Sequence, residues 1–212
     1  MTSWEQLLER ARPQASPLRD EMEQYARDFH VPIMDVEGIE TLKTLLRLQK
    51  PKRLLEIGSA IGYSALQIAE ALPDVHITTI ERDDERYERA CAFIERSDAN
   101  DRITVHHADA LEFELSSDER FDALFIDAAK GQYQRFFEKY EPYVQPGGII
   151  YCDNMFMHGE LFTPLEDIKR RRRTMIRNLK QFVDWLIAHE SYDVSFLNVG
   201  DGIAIAQKKD KK

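Results

Sequence analysis

The segment "LLEIGSAIGYS", Leu54–Ser64, runs from an apolar stretch into an acid, Glu56, and then into a turn holding Gly58 and Gly62. A helical pattern, "YSALQIAEAL", follows it. Apolar strand, glycine turn and helix in that order are the first half of a βα unit, and such a turn usually receives a nucleotide.

The same alternation continues outward. "HITTIE" is followed by "DERYERACAFIERS", "ITVHHAD" by a short helix or loop, "FDALFIDA" by "YQRFFEKYEPYV", and "GGIIYCDN" closes a series of five strands. Strands alternating with helices predict a parallel sheet covered on both faces. The end differs: the helix "MIRNLKQFVDWLIAHE" precedes two β runs, "YDVSFLNV" and "GIAIAQKK", around Gly200-Asp201-Gly202, which reads as an antiparallel hairpin. The first fifty residues read as helices, with Ser16 as N-cap and Pro17 in the first turn of the second. The third, "DVEGIETLKTLLRLQ", carries Ile39, Leu42, Leu45 and Leu46 on one stripe. The expectation is one α/β domain over 1–212: a helical N-terminal cap over 1–50, a Rossmann-like core over 51–208, and a frayed tail, "KKDKK".

In an open parallel sheet, ligands bind outside the carboxyl ends of the strands. Those ends deliver Glu56 and Gly58, then Glu81, then Asp109 and Ala110, then Asp127, then Asp153 and Asn154. Taken singly, each acid reads as a surface residue; the series is what carries information. A dinucleotide site wants G-x-G-x-x-G and a P-loop wants G-K-[ST]; neither is present. An acid beside the turn favours a cationic ligand, and S-adenosylmethionine carries both a sulfonium and an ammonium. Gly58 lets the backbone approach the ligand. Glu81, 23 residues after Gly58, has the spacing of a carboxylate on ribose hydroxyls. Asp109 would accept from the adenine amino group, and Ala110 would offer its N–H to a ring nitrogen.

Asp127, Asp153 and Asn154 are hard oxygen donors at neighbouring strand ends, suited to Mg²⁺ or a similar cation with positions left for substrate oxygens. The alternative is that Asp153-Asn154 only caps a strand turn. Lys130, three residues after Asp127, is placed to act as a base, so that a hydroxyl attacks the sulfonium methyl. That chemistry is O-methyl transfer.

The ordered series "LLEIGSAIGYS", "TTIERD", "HADA", "FIDAAKGQY", "GGIIYCDN" and "VGDGIAIAQK" resembles the cation-dependent O-methyltransferases, a family that includes catechol and caffeoyl-CoA O-methyltransferases. The resemblance covers roughly Pro32 to Lys208. It implies a class I S-adenosylmethionine-dependent methyltransferase fold: a seven-stranded, mostly parallel sheet with an antiparallel C-terminal hairpin. It also implies Asp127, Asp153 and Asn154 as metal ligands, Lys130 with Asp127 as the catalytic pair, and Met34, Ser64 and Asp127 along the cofactor site. Members often pair as homodimers, which the apolar N-terminal helices would serve unless they only cover the sheet.

The acceptor is less legible. A chelated substrate presents a hydroxyl beside a second oxygen, as a catechol does and as 5-hydroxyuridine does next to its C4 carbonyl. Against a net charge of −9, the island "KRRRRTMIRNLK", Lys169–Lys180, holds seven basic residues and no acid. It reads either as a solvated helix face or as a face for an anionic partner. Arg170, Arg173 and Arg177 would project together from one helix, with Arg171 and Arg172 beside them, toward RNA phosphates. A base unstacked from an anticodon loop would meet an aromatic wall such as Phe156 or Phe162. The chain looks most like the short bacterial members that convert 5-hydroxyuridine at the tRNA wobble position to 5-methoxyuridine. A small-molecule catechol or caffeoyl-CoA-type acceptor is the alternative, and a non-catalytic binding module is a third class. Two cysteines, Cys91 and Cys152, form no disulfide or zinc pattern, which fits a reducing cytoplasm. No apolar run approaches the ~20 residues of a membrane span, and "MTSWEQLLER" is not a signal peptide.

Overall fold

The computed structural model describes residues 3–12 and 16–210. Three helices come first: α1 (Trp4–Ala11), α2 (Pro17–Asp28) and α3 (Val36–Gln49). Each begins on a side-chain cap, Ser3, Ser16 and Asp35, which accepts a backbone N–H three residues on. Then strands and helices alternate: β1 (Arg53–Ile57), α4 (Tyr63–Ala71), β2 (His76–Glu81), α5 (Asp84–Glu95), β3 (Ile103–His107), β4 (Phe121–Ile126), α6 (Tyr133–Tyr140) and β5 (Val144–Cys152). Helix α7 (Arg173–Ile187) and the hairpin β6 (Tyr192–Leu197) and β7 (Ile203–Lys208) follow.

The seven strands lie in the order β3-β2-β1-β4-β5-β7-β6. Only β7 runs against the others, pairing antiparallel with both β5 and β6. Neighbouring residues of the central strands go to opposite faces: Leu54 joins one buried cluster with α2–α5, and Leu55 the other with α6 and α7. Ala123 and Phe125 alternate with Leu124 and Ile126 in the same way. That is why these strands read as continuous apolar runs. The strand order reverses between β1 and β4, so a crevice opens beyond their carboxyl ends.

Several boundaries differ from expectation. Helix α6 stops at Tyr140 and a 3₁₀ turn covers Glu141–Tyr143, because Pro142 has no N–H to continue the helix. Helix α7 starts at Arg173, two residues earlier than Met175, and ends at Ile187. The tail begins later than expected: Lys208 is the last residue of β7, and its Nζ donates to the carbonyls of Glu141 and Val144. Lys211 and Lys212 lie outside the described residues. No helix among the described residues is long and apolar enough to cross a membrane.

Candidate active site

A cavity of about 670 Å³ occupies the crevice at the reversal point. Its floor is the glycine turn after β1. Gly58 has φ +93°, and a Cβ there would sit 2.3 Å from the Asp127 carbonyl oxygen. The expected reason for this glycine was close approach of a ligand; the structure shows instead that the backbone following β4 crowds it. Gly62, at φ +81°, ends the turn and starts α4.

Glu56 departs further from expectation. It does not line the cavity; it is fully buried behind the turn, where Thr79 Oγ1 donates to it at 2.5 Å and Ser64 Oγ donates to its other oxygen. Burial pushes its carboxyl up to about 7, against the pull of those two hydroxyls. Ser64 does line the cavity, but its hydroxyl is committed to Glu56. These two residues therefore shape the turn from behind.

Met34, Gly58, Glu81, Asp109 and Ala110 all line the cavity. The Glu81 carboxylate accepts the N–H of Ala60 at 2.8 Å and those of Arg82 and Asp83 at 2.9 Å, so it fastens β2 to the glycine turn. Asp109 Oδ1 accepts the Leu111 N–H, and the Ala110 carbonyl accepts the Tyr140 hydroxyl at 2.6 Å. Both contacts fix the loop after β3 in the orientation it presents to the cavity.

Across the cavity lie Asp127, Lys130, Asp153 and Asn154. Lys130 Nζ donates to Asp127 Oδ1 at 2.6 Å. Asp153 is 4% exposed, and burial, then the charge of Asp127, pushes its carboxyl up to about 7. Tyr133 Oη donates to the Asp153 carbonyl at 2.7 Å and fixes the strand end. Asn154 sits at φ +54°, in the left-handed region that asparagine tolerates better than most residues. Among the described residues no three His, Cys, Asp or Glu side chains group as a metal cage. The donor set is thus two carboxylates and one amide oxygen. A buried Asp153 whose charge Asp127 disfavours, beside an amide oxygen donor, fits a hard divalent cation, which would relieve that repulsion.

The basic island does not form one helical face. Arg170, Arg171 and Arg172 occupy a 3₁₀ turn before α7. Arg172 pairs with Glu160 at 2.9 Å, Arg173 donates to the carbonyls of Ile168 and Glu166, and Lys180 donates to that of Thr163. These three brace the loop that follows β5. Lys169, Arg170, Arg171 and Arg177 remain exposed. Helix α7 packs on the turn that holds Lys130, with Asn178 Nδ2 donating to the Gly131 carbonyl at 3.1 Å. Phe156 and Phe162 pack against each other with tilted rings, 5.2 Å between ring centres, and neither lines the cavity. Phe156 covers Gly202, where a Cβ would meet its ring at 2.6 Å. Met157 and His158 take the wall position instead.

Sequence reasoning missed Asp35, Tyr63 and Asp201, which also line the cavity. Asp201 was legible: it follows β6, which runs parallel to β5, so the carboxyl-end rule places it on the same edge. Its Oδ1 accepts the His158 N–H at 2.5 Å.

With this geometry in view, comparison with known proteins is specific. A family model described as O-methyltransferase matches residues 12–209. A caffeoyl-CoA O-methyltransferase from Populus kitakamiensis is 32% identical over 174 residues, covering 79% of this chain and 74% of that protein. A crystal structure of a Staphylococcus aureus protein provisionally described as a caffeoyl-CoA O-methyltransferase is 34% identical. It superposes with a TM-score of 0.89 over 96% of this chain and 98% of that one. An O-methyltransferase from Bacillus cereus in complex with SAH, 26% identical, has a TM-score of 0.83 over 96% of both chains. The chain belongs to the O-methyltransferase family, in its caffeoyl-CoA-type branch.

Proposed function

We propose that the protein is a Mg²⁺-dependent O-methyltransferase that methylates the 5-hydroxyl of 5-hydroxyuridine at the tRNA wobble position, giving 5-methoxyuridine. The observation that carries this reading is the set of exposed cations, Arg177 on α7, which packs against the Lys130 turn, and Lys169, Arg170 and Arg171 just before that helix. A phosphate backbone suits such a face, and a base turned out of a loop suits a cavity of this size.

Asp127, Asp153 and Asn154 would hold the cation. Bound there, it would supply Lewis acidity toward the acceptor hydroxyl and a chelation geometry shared with the neighbouring carbonyl. Glu81 and Asp109 bind and orient the adenosine end of the donor. Lys130 Nζ, as the neutral amine, takes the hydroxyl proton and becomes the ammonium beside Asp127. The acceptor oxygen forms its bond to the methyl carbon as the sulfur–methyl bond breaks, leaving S-adenosylhomocysteine. Met34 and Met157, both nearly buried in the wall, exclude water from the transfer.

The test is nucleoside mass spectrometry after incubation with S-adenosylmethionine, Mg²⁺ and tRNA carrying 5-hydroxyuridine, with a catechol alongside. Appearance of 5-methoxyuridine, lost with chelator, is the expected result. A methylated catechol with no methylated nucleoside would retain the mechanism and reject the RNA acceptor. Full activity in excess chelator would reject the cation.

A further inference from the structure

Tyr63 opens α4 directly after the glycine turn, lines the cavity, and is 2% exposed. Its hydroxyl belongs to a different part of the molecule. Tyr63 Oη donates to Glu23 Oε1 of α2 at 2.8 Å, and Arg12 Nη2, just past α1, donates to the same Glu23 oxygen at 2.7 Å and to Tyr63 Oη at 3.3 Å. The Arg12 side chain is only 5% exposed, and its guanidinium also reaches Glu9 at 3.4 Å and Glu40 of α3 at 3.8 Å. One guanidinium thus gathers α1, α2 and α3 onto the first residue of α4.

Covering the sheet does not require this. An apolar contact would bury the same surface without desolvating an arginine and a carboxylate, and a buried ion pair is a poor source of net stability. What the triad supplies is direction: it fixes where the Tyr63 ring stands. The other end of α2 has a matching consequence. The chain leaving α2 becomes Pro32–Asp35, four consecutive residues of the cavity wall. The segment joining α2 to α3 therefore forms one wall of the cavity, and the helices on either side of it are stitched through Tyr63 to its floor.

We propose that Arg12 and Glu23 are positioning residues for the cofactor cavity, acting through the Tyr63 hydroxyl, so that seating of α1 and α2 and occupation of the cavity favour each other. The coupling is reciprocal: whatever seats the helices tightens the cofactor, and the cofactor seats the helices to the same degree. A purely structural contact would lower stability in every variant without making the helices respond to ligand.

The experiment uses S-adenosylhomocysteine as probe. In the unmodified protein, saturating ligand should slow amide exchange in residues 4–12 and 17–28 several-fold. Tyr63→Phe, which removes only the hydroxyl, should weaken binding by calorimetry about fivefold and abolish that slowing. Glu23→Gln should do the same, and the double variant should be no weaker than either single one. Ligand-independent exchange in the unmodified protein, a measurement that needs no variant to fold, overturns the proposal. So does a folded Tyr63→Phe protein that binds the probe within twofold of the parent.

Discussion

Lys130 and Asp127 are in direct contact in the cavity, at 2.6 Å, and they carry different tasks in the proposed chemistry. Lys130→Ala removes the proposed proton acceptor and leaves Glu81 and Asp109 in place. It should lower kcat by roughly 10²- to 10⁴-fold while S-adenosylhomocysteine affinity changes little, a split that single-turnover kinetics and calorimetry resolve. Glu56 shows how a residue can be legible as important and misread in role. Its place after β1 drew attention to it as a charge facing the ligand, but strand alternation turns its carboxyl inward, toward Thr79 and Ser64. That burial has a pH signature. The folded carboxyl holds its proton up to about 7, above the ordinary 4.5, so the folded chain keeps a proton that the unfolded chain releases. The associated stability is full below about pH 4.5 and is lost as pH rises to about 7, on the order of 3 kcal/mol. Glu56→Gln cannot ionise. Its Tm relative to the parent should therefore climb by several degrees between pH 5 and pH 8, and a constant offset across that range would refute the assignment.

At the scale of elements, the loop between β5 and α7 depends on cations that the sequence presents as one undivided run. Arg173 Nε and Nη2 satisfy two loop carbonyls, at 2.8 Å and 2.7 Å. Arg173→Ala strands both, and at about 1 kcal/mol each the loop should open more readily. Faster amide exchange confined to residues 155–168, with the sheet unchanged, is the expected result; exchange identical to the parent would show that the brace carries no weight. The sequence could not divide the run, because seven similar side chains give no sign of which meet a carbonyl. The strands were legible for the opposite reason. Leu54-Leu55 and Ala123–Ile126 must satisfy helices on both faces, so burial is written into every position. The antiparallel β7 was legible from Gly200-Asp201-Gly202, since short glycine turns permit only a hairpin. Asp35 and Asp201 were not recognised as site residues because each also has a local task, the cap of α3 in one case and the hairpin turn in the other.

At the scale of the whole molecule, charge decides what can approach the cavity. A chain of net charge −9 repels a polyanion over most of its surface. The cations left free by the loop brace are Lys169, Arg170, Arg171 and Arg177; Arg177 lies on α7, which packs on the turn of the proposed base, and the other three lie just before that helix. If RNA phosphates are bound there, replacing these four with alanine should flatten the salt dependence of tRNA binding. Each lost contact removes about 0.7 to 0.9 from the slope of log K against log salt, so the slope should fall by roughly 3. S-adenosylhomocysteine affinity should stay within twofold, because none of the four lines the cavity. Arg172→Ala and Arg173→Ala make the internal control: their partners lie within the loop, so they should disturb exchange there and leave the slope nearly as steep. A slope that survives the fourfold replacement would return those cations to the role of solvated surface. The cavity would then be best matched to a small chelating acceptor, which needs the carboxylates and Lys130 but no polyanion track.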